Sequence, residues 1–144
     1  MSSNVINLIG FSDNKERHKK VPVIIEELPF PVNFKSFYTL DSLLYFLESF
    51  REKAFIIIGI MPYDQCLNLL QTIRDKFYWE GFILTVVRDE SNKKRNDELF
   101  IKGANIIIEA KEGKFEEQTT ECLEVFWKIL QSGEHPKDII MCLR

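Results

Sequence analysis

The sequence predicts a single α/β domain built as a doubly wound, parallel five-stranded sheet in a three-layer sandwich. Three observations carry that prediction. Short β-rich apolar runs alternate with amphipathic helical stretches along the chain, the sequence form of βαβ units. The runs FIIIGI and FILTVV are apolar on consecutive residues, as strands covered on both faces tend to be. A length of 144 residues allows one domain with a real core and is too short for two ordinary ones.

In chain order, the first strand is expected at residues 5–9. Residues 13–28 read as a helix kinked at Pro22 or as a polar loop leading into an extra strand, VPVIIEE. Asp13 with Glu16 makes a capping-box-like start, and a crossover between parallel strands needs something helix-sized there, so the helix is preferred. A strand at 34–38 precedes a helix at 41–53, where Leu43, Leu44, Phe46, Leu47 and Phe50 share one arc and Asp41 is the expected N-cap. The third strand, 54–60, leads to a helix capped by Asp64 with Cys66, Leu67, Leu69, Leu70 and Ile73 inward. A fourth strand at 82–87 precedes a helix at 91–102, which is polar in SNKKRNDE and anchored by Leu99, Phe100 and Ile101.

The fifth strand is placed at 105–108 and the last helix at 114–131, ended by Gly133. In that helix Glu117, Thr120, Glu121, Glu124, Lys128 and Gln131 form a narrow polar strip. Cys122, Leu123, Val125, Phe126, Trp127, Ile129 and Leu130 fill the remaining arc of about 200°, more than one sheet face needs. The domain is therefore assigned to residues 1–134, with 135–144 as a C-terminal tail. Its Ile139, Ile140, Met141 and Leu143 suit it to cover the surplus arc, which otherwise stands as an interface.

With 45% apolar and 28% charged residues the chain is composed like a folded globular protein. A net charge of −3 argues against general nucleic-acid binding, leaving Lys93-Lys94-Arg95 and Lys19-Lys20 as the contrary signals. No apolar run reaches the roughly 18 residues that span a bilayer, and the N-terminus does not read as a signal peptide, so a cytoplasmic location is expected. Cys66, Cys122 and Cys142 are odd in number and lack a C-x-x-C pair, which suggests reduced, buried thiols rather than a disulfide framework or a zinc site.

Two short signals align with a known pattern. The third apolar run closes on Ile60-Met61-Pro62, and Gly103-Ala104 stands just before the fifth strand, with the intervening elements at matching separation. Over residues 4–132 the chain thereby resembles the receiver domain of bacterial two-component response regulators. The resemblance implies a flavodoxin-like fold and identifies five reactive positions. Counting back four from Pro62, the phosphoacceptor aspartate is replaced by Ile58. The Ser or Thr position at the end of the fourth strand holds Arg88, and the phosphoryl-pairing Lys position holds Ala110. The acid pair that would hold Mg²⁺ falls on Gly10-Phe11, or on Asp13 alone if the register slips. Phosphoryl transfer depends on positioning and charge neutralisation, and Mg²⁺ needs oxygen ligands, so neither a metal nor a cofactor is expected.

Other candidates are weaker. Asp64 reads as a helix cap and Asp89 as a loop acid before either reads as a displaced acceptor, and His18 and His135 are isolated. Arg88 reads first as a salt-bridge partner of Asp89, Glu90 or Glu109 and second as a receiver of anions. Phe77-Tyr78-Trp79 closes the core or offers an aromatic docking site. No glycine-rich nucleotide loop or nucleophile elbow is present.

The expectation is a stand-alone, non-enzymatic pseudo-receiver that acts by phosphorylation-independent protein–protein interaction in bacterial signalling or regulation. Its partner is an unidentified regulatory protein or a second copy, met through Phe100, Val125 and Trp127 on the last two helices. The alternative is a small-molecule sensor that uses the former reactive cleft.

Overall fold

The structure, a computed structural model, describes residues 5–12, 14–77, 81–90 and 92–144. The chain runs β1 (Ile6–Phe11), α1 (Lys15–Glu26), β2 (Val32–Phe37), α2 (Leu40–Ser49), β3 (Ala54–Ile58) and α3 (Tyr63–Lys76). It continues through β4 (Phe82–Arg88), α4 (Lys93–Ile101), β5 (Ile106–Glu109) and α5 (Phe115–Ser132), then a 3-10 turn (Pro136–Asp138) and β6 (Met141–Leu143). The strands form one parallel sheet in the order β2-β1-β3-β4-β5-β6.

The expected doubly wound α/β fold is therefore present, with six strands in place of five. The sixth escapes sequence reading because it is three residues long, too short to show a period, and because its place depends on how the chain reverses after α5. Gly133 ends that helix in the left-handed region at φ +70°, and the turn at Pro136 sends the tail back along β5. There the Met141 amide donates to the Asn105 carbonyl at 2.9 Å.

Residues 15–26 settle as helix, with Pro22 inside it. Proline removes one i to i−4 bond. Even so, α1 continues, with Val21 and Ile24 buried against the sheet. Three cap expectations shift to neighbouring residues. Asn14 caps α1, accepting from the Glu16 and Arg17 amides; the proposed capping acid Asp13 lies outside the described residues. Thr39, not Asp41, caps α2, and α3 starts behind Pro62 with no side-chain cap, leaving Asp64 in the first turn. There a carboxylate still complements the helix dipole. The third strand stops at Ile58, two residues short of the expected end.

Two apolar layers hold the sandwich. On one face of the sheet, Leu43 and Leu47 of α2, Leu70 and Ile73 of α3 and Leu99 of α4 pack on Ile9, Ile56, Leu84 and Ile107. On the other, Val21 and Ile24 of α1 and Cys122, Leu123 and Phe126 of α5 pack on Ile6, Leu8, Phe55, Ile83 and Ile106. The tail belongs to this second layer, with Ile139 buried and Met141 and Leu143 packed at its margin; Cys142 between them is exposed, against the expectation of burial, while Cys66 and Cys122 are buried.

Arg74 ties α3 to the strand starts. It donates to the carbonyls of Gly103 at 2.7 and 3.0 Å and of Phe82 at 3.0 Å, and to Asn105 Oδ1 at 2.8 Å. Burial lowers its pKa to about 10, which still leaves it charged at neutral pH. Gly103 is needed under this side chain: its φ is +118°, and an added Cβ would run into Arg74. Among the described residues, no helix is long and apolar enough to cross a membrane.

Candidate functional site

The five positions singled out by the resemblance all reach the carboxyl edge of the sheet, but the sheet divides them. Phe11, Ile58 and Arg88 lie on the α2–α3–α4 face, while Gly10 and Ala110 lie on the α1–α5 face. Parallel register shows why: Phe11 pairs with Ile58 and Ile58 with Val86, whereas Gly10 pairs with Ile57 one residue out of phase. Ile58 is 0% exposed, seated in the apolar layer with Phe11 and Val86.

Gly10 is held as glycine by its neighbours. An added Cβ would lie 2.9 Å from Phe34 Cε1 and 3.2 Å from His18 Nε2, so an acid there would displace the ring pair that covers the strand. Neither Gly10, Phe11 nor Ile58 has a side-chain oxygen, and Asp13 lies outside the described residues. Among the described residues no cluster of three His, Cys, Asp or Glu side chains is placed to hold a metal ion. The groups at these positions do not suit the Mg²⁺ that receiver chemistry uses.

Arg88 is buried and internally engaged. Its guanidinium donates to the Met61 carbonyl at 3.1 Å and lies 5.5 Å from the centre of the Tyr63 ring, which Arg95 also covers at 4.7 Å. Among the described residues none of the ion pairs involves Arg88, so the expected bridge to Asp89, Glu90 or Glu109 is replaced by a carbonyl and an aromatic face. Arg88 thus pins the loop after β3 onto β4 rather than meeting an anion. Asp64 and Asp89 are exposed. His135 caps the tail's 3-10 turn by accepting from the Lys137 amide. Of the Phe77-Tyr78-Trp79 cluster, Phe77 packs against the core and the other two lie outside the described residues.

The three interface candidates are half-buried and do not form one patch. Phe100 packs with the α4 layer. Trp127 stacks on Phe30, ring centres 4.8 Å apart and planes 9° from parallel, closing the gap between α5 and the loop after α1. Val125, about 200° away around the helix, faces the opposite margin. Between the α4 and α5 margins, β6 covers the edge of β5. Trp127→Ala should consequently lower the unfolding free energy by roughly 2–3 kcal/mol, somewhat less than a fully buried aromatic, because the lost stack is with a core residue. Urea unfolding checks this; a loss below about 0.5 kcal/mol would return Trp127 to the surface.

Sequence reasoning missed the open side of this edge. Between α1 and α5, at the carboxyl end of the sheet, lies a cavity of about 490 Å³, floored by residues including Gly10, Ile57, Gly59, Val87, Ile108 and Ala110. Ala110 puts almost no side chain into this space, whereas Gly10 and Gly59 are closed over by Phe34 with His18 and by Ser12. The void depends on how far apart two helices lie, which no run of residues encodes.

No protein-family model matches the chain, nor does any curated protein sequence. Solved structures do. A response regulator receiver domain from Rhodospirillum rubrum aligns with a TM-score of 0.67 at 12% identity, over 86% of this chain and 94% of that one. An orphan response regulator of H. pylori aligns with a TM-score of 0.62 at 12% identity, over 83% and 94%. An atypical orphan response regulator, whose structure revealed a phosphorylation-independent regulatory mechanism, aligns with a TM-score of 0.61 at 13% identity, over 85% and 96%. The chain has the fold of a receiver domain, flavodoxin-like, with one strand added at the β5 edge.

Proposed function

We propose that this chain is a receiver-like module that has left phosphoryl chemistry and acts by binding another protein in bacterial signal transduction or regulation. The observation that carries the reading is Ile58, wholly buried between Phe11 and Val86 at the strand end where a receiver presents its phosphoacceptor. An aliphatic side chain there offers no nucleophile, and burying it contributes roughly 1.5–3 kcal/mol to the fold instead. Ala110 supplies no cation for a phosphoryl group, and Arg88 is turned to Met61 and Tyr63.

Regulation then lies in the binding step. Any switch must come from a partner or ligand that prefers one conformation over another. The likeness to an atypical orphan regulator described as phosphorylation-independent supports this reading. The expected result with acetyl phosphate and Mg²⁺ is an unchanged intact mass and an unchanged thermal midpoint. A stable adduct of one phosphoryl unit would overturn the reading, wherever on the chain it formed.

A further inference from the structure

The cavity between α1 and α5 has the composition of a ligand site. Its floor is apolar sheet, with Leu8, Ile57, Val87 and Ile108 facing in, and its volume of about 490 Å³ lies within the range of small-molecule pockets. A packed interior leaves no void of this size; this one is floored by the sheet, flanked by α1 and α5, and open to solvent.

Its polar groups are few and placed at two levels. His18, 8% exposed, stands in the α1 wall between Phe34 and Tyr38, and its Nδ1 is buried without a hydrogen-bond partner. Burial lowers its pKa, so the imidazole is neutral at physiological pH and adds no charge to the wall. At the rim, among the described residues, are four charged side chains: Arg17, Lys111, Asp89 and Glu112. Three of these are exposed and free to turn to solvent, whereas Arg17 is half-buried, its guanidinium 5.7 Å from the centre of the Phe115 ring. Among the described residues, the charged side chain held in place at the mouth is therefore the cation Arg17. The N-terminus of α5, which lacks a side-chain cap, opens at the same rim and adds the positive end of a helix dipole.

We propose that this cavity binds a small organic acid with an aromatic or branched apolar body, the body seated over Ile57, Val87 and Ile108 and the carboxylate meeting Arg17 at the rim. The proposal does not rest on the loss of phosphoryl chemistry, and either can fail alone. It also differs from an anion site built on Arg88, which lies on the other face of the sheet.

The test uses 2-naphthoate and its uncharged analogue 2-naphthalenemethanol as probes, titrated into the whole chain and followed by calorimetry and by methyl NMR. Saturable 1:1 binding of naphthoate is expected, with shifts concentrated at the methyls of Val21, Ile57, Val87 and Ile108. Arg17→Gln should weaken naphthoate by about tenfold and leave naphthalenemethanol unchanged, as expected for loss of one charge-assisted contact. Ala110→Leu and Thr119→Leu, which fill the cavity from the sheet and from α5, should each abolish binding of both probes. Absence of saturable naphthoate binding to the parent chain would overturn the proposal. So would methyl shifts lying elsewhere, or equal weakening of both probes by Arg17→Gln.

Discussion

Replacing Asn105 by alanine is expected to lower the unfolding free energy by about 3–5 kcal/mol and to loosen the C-terminal tail. Asn105 is buried and uses both ends of its amide. Its Nδ2 donates to the carbonyls of Pro136 at 2.7 Å and Ile139 at 3.1 Å, and its Oδ1 accepts from the Leu84 amide and from Arg74, both at 2.8 Å. Leu84 lies where β4 runs ahead of the first β4–β5 pair, Thr85 with Ile106, so the side chain stands in for a missing ladder acceptor. Alanine would leave the Leu84 N–H and two tail carbonyls without these partners, each costing about 1–3 kcal/mol before water relieves part of it. Arg74 loses least, because it keeps the Gly103 carbonyl. Hydrogen exchange should quicken in residues 136–143, and urea unfolding should give the energy. A chain ending at residue 134 supplies the control: with the tail gone, the same substitution should cost clearly less, since two of its four bonds no longer exist. An equal cost in both chains would show that Asn105 does not hold the tail.

That bracket explains why the fold was legible in the sequence while its edge was not. The central strands announce themselves because residues 54–58 are apolar throughout and 82–87 are apolar but for Thr85, a pattern set by burial on both faces. The strand β6 carries no such pattern, and its position follows from two hydrogen bonds that one asparagine sends to tail carbonyls 31 and 34 residues away. Most helix ends were legible to within two residues, but α2, expected to run to residue 53, stops at Ser49. The identity of the caps was not legible, because Asn14 and Thr39 lie within two residues of Asp13 and Asp41, acids that suit the same role.

The candidate site divides along the same line. The replacement of reactive side chains at Ile58, Arg88 and Ala110 is a property of residue type and position, and sequence shows it. What fills or empties the space is a property of packing. On one face Phe11 and Ile58 enter the apolar layer, while on the other the separation of α1 and α5 leaves a cavity over Ile57, Val87 and Ile108 that no residue pattern encodes. Trp127 illustrates the remaining gap. An aromatic at the margin of an apolar arc suits an interface or a neighbouring loop equally, and its stack on Phe30 is visible only in the folded chain.

Restoring the acid makes the sharpest test of the buried edge. Ile58→Asp is expected to destabilise the fold by more than about 4 kcal/mol at pH 7.5, combining roughly 1.5–3 kcal/mol of lost aliphatic burial with the cost of an ion in an apolar layer. The neighbours in register, Phe11 and Val86, offer no polar contact, and the cation on the same face, Arg88, is held by Met61 and Tyr63. Desolvation would raise the folded-state pKa of the new carboxyl above its unfolded value of about 3.9, so the folded state would hold its proton more tightly. Stability is then greatest below about pH 4 and falls as pH rises towards the raised folded pKa, beyond which the penalty is constant. Ile58→Asn, a polar residue of similar shape without the charge, should be destabilised with no such added pH dependence. Urea unfolding of both variants at pH 4.5 and 7.5 separates the charge from the cavity. If Ile58→Asp is as stable as the parent at pH 7.5, or accepts a phosphoryl group from acetyl phosphate, then the edge can open to solvent and Arg88 can leave its partners. The site would then be a receiver cleft lacking one atom group, and the apolar plug would have no mechanical role.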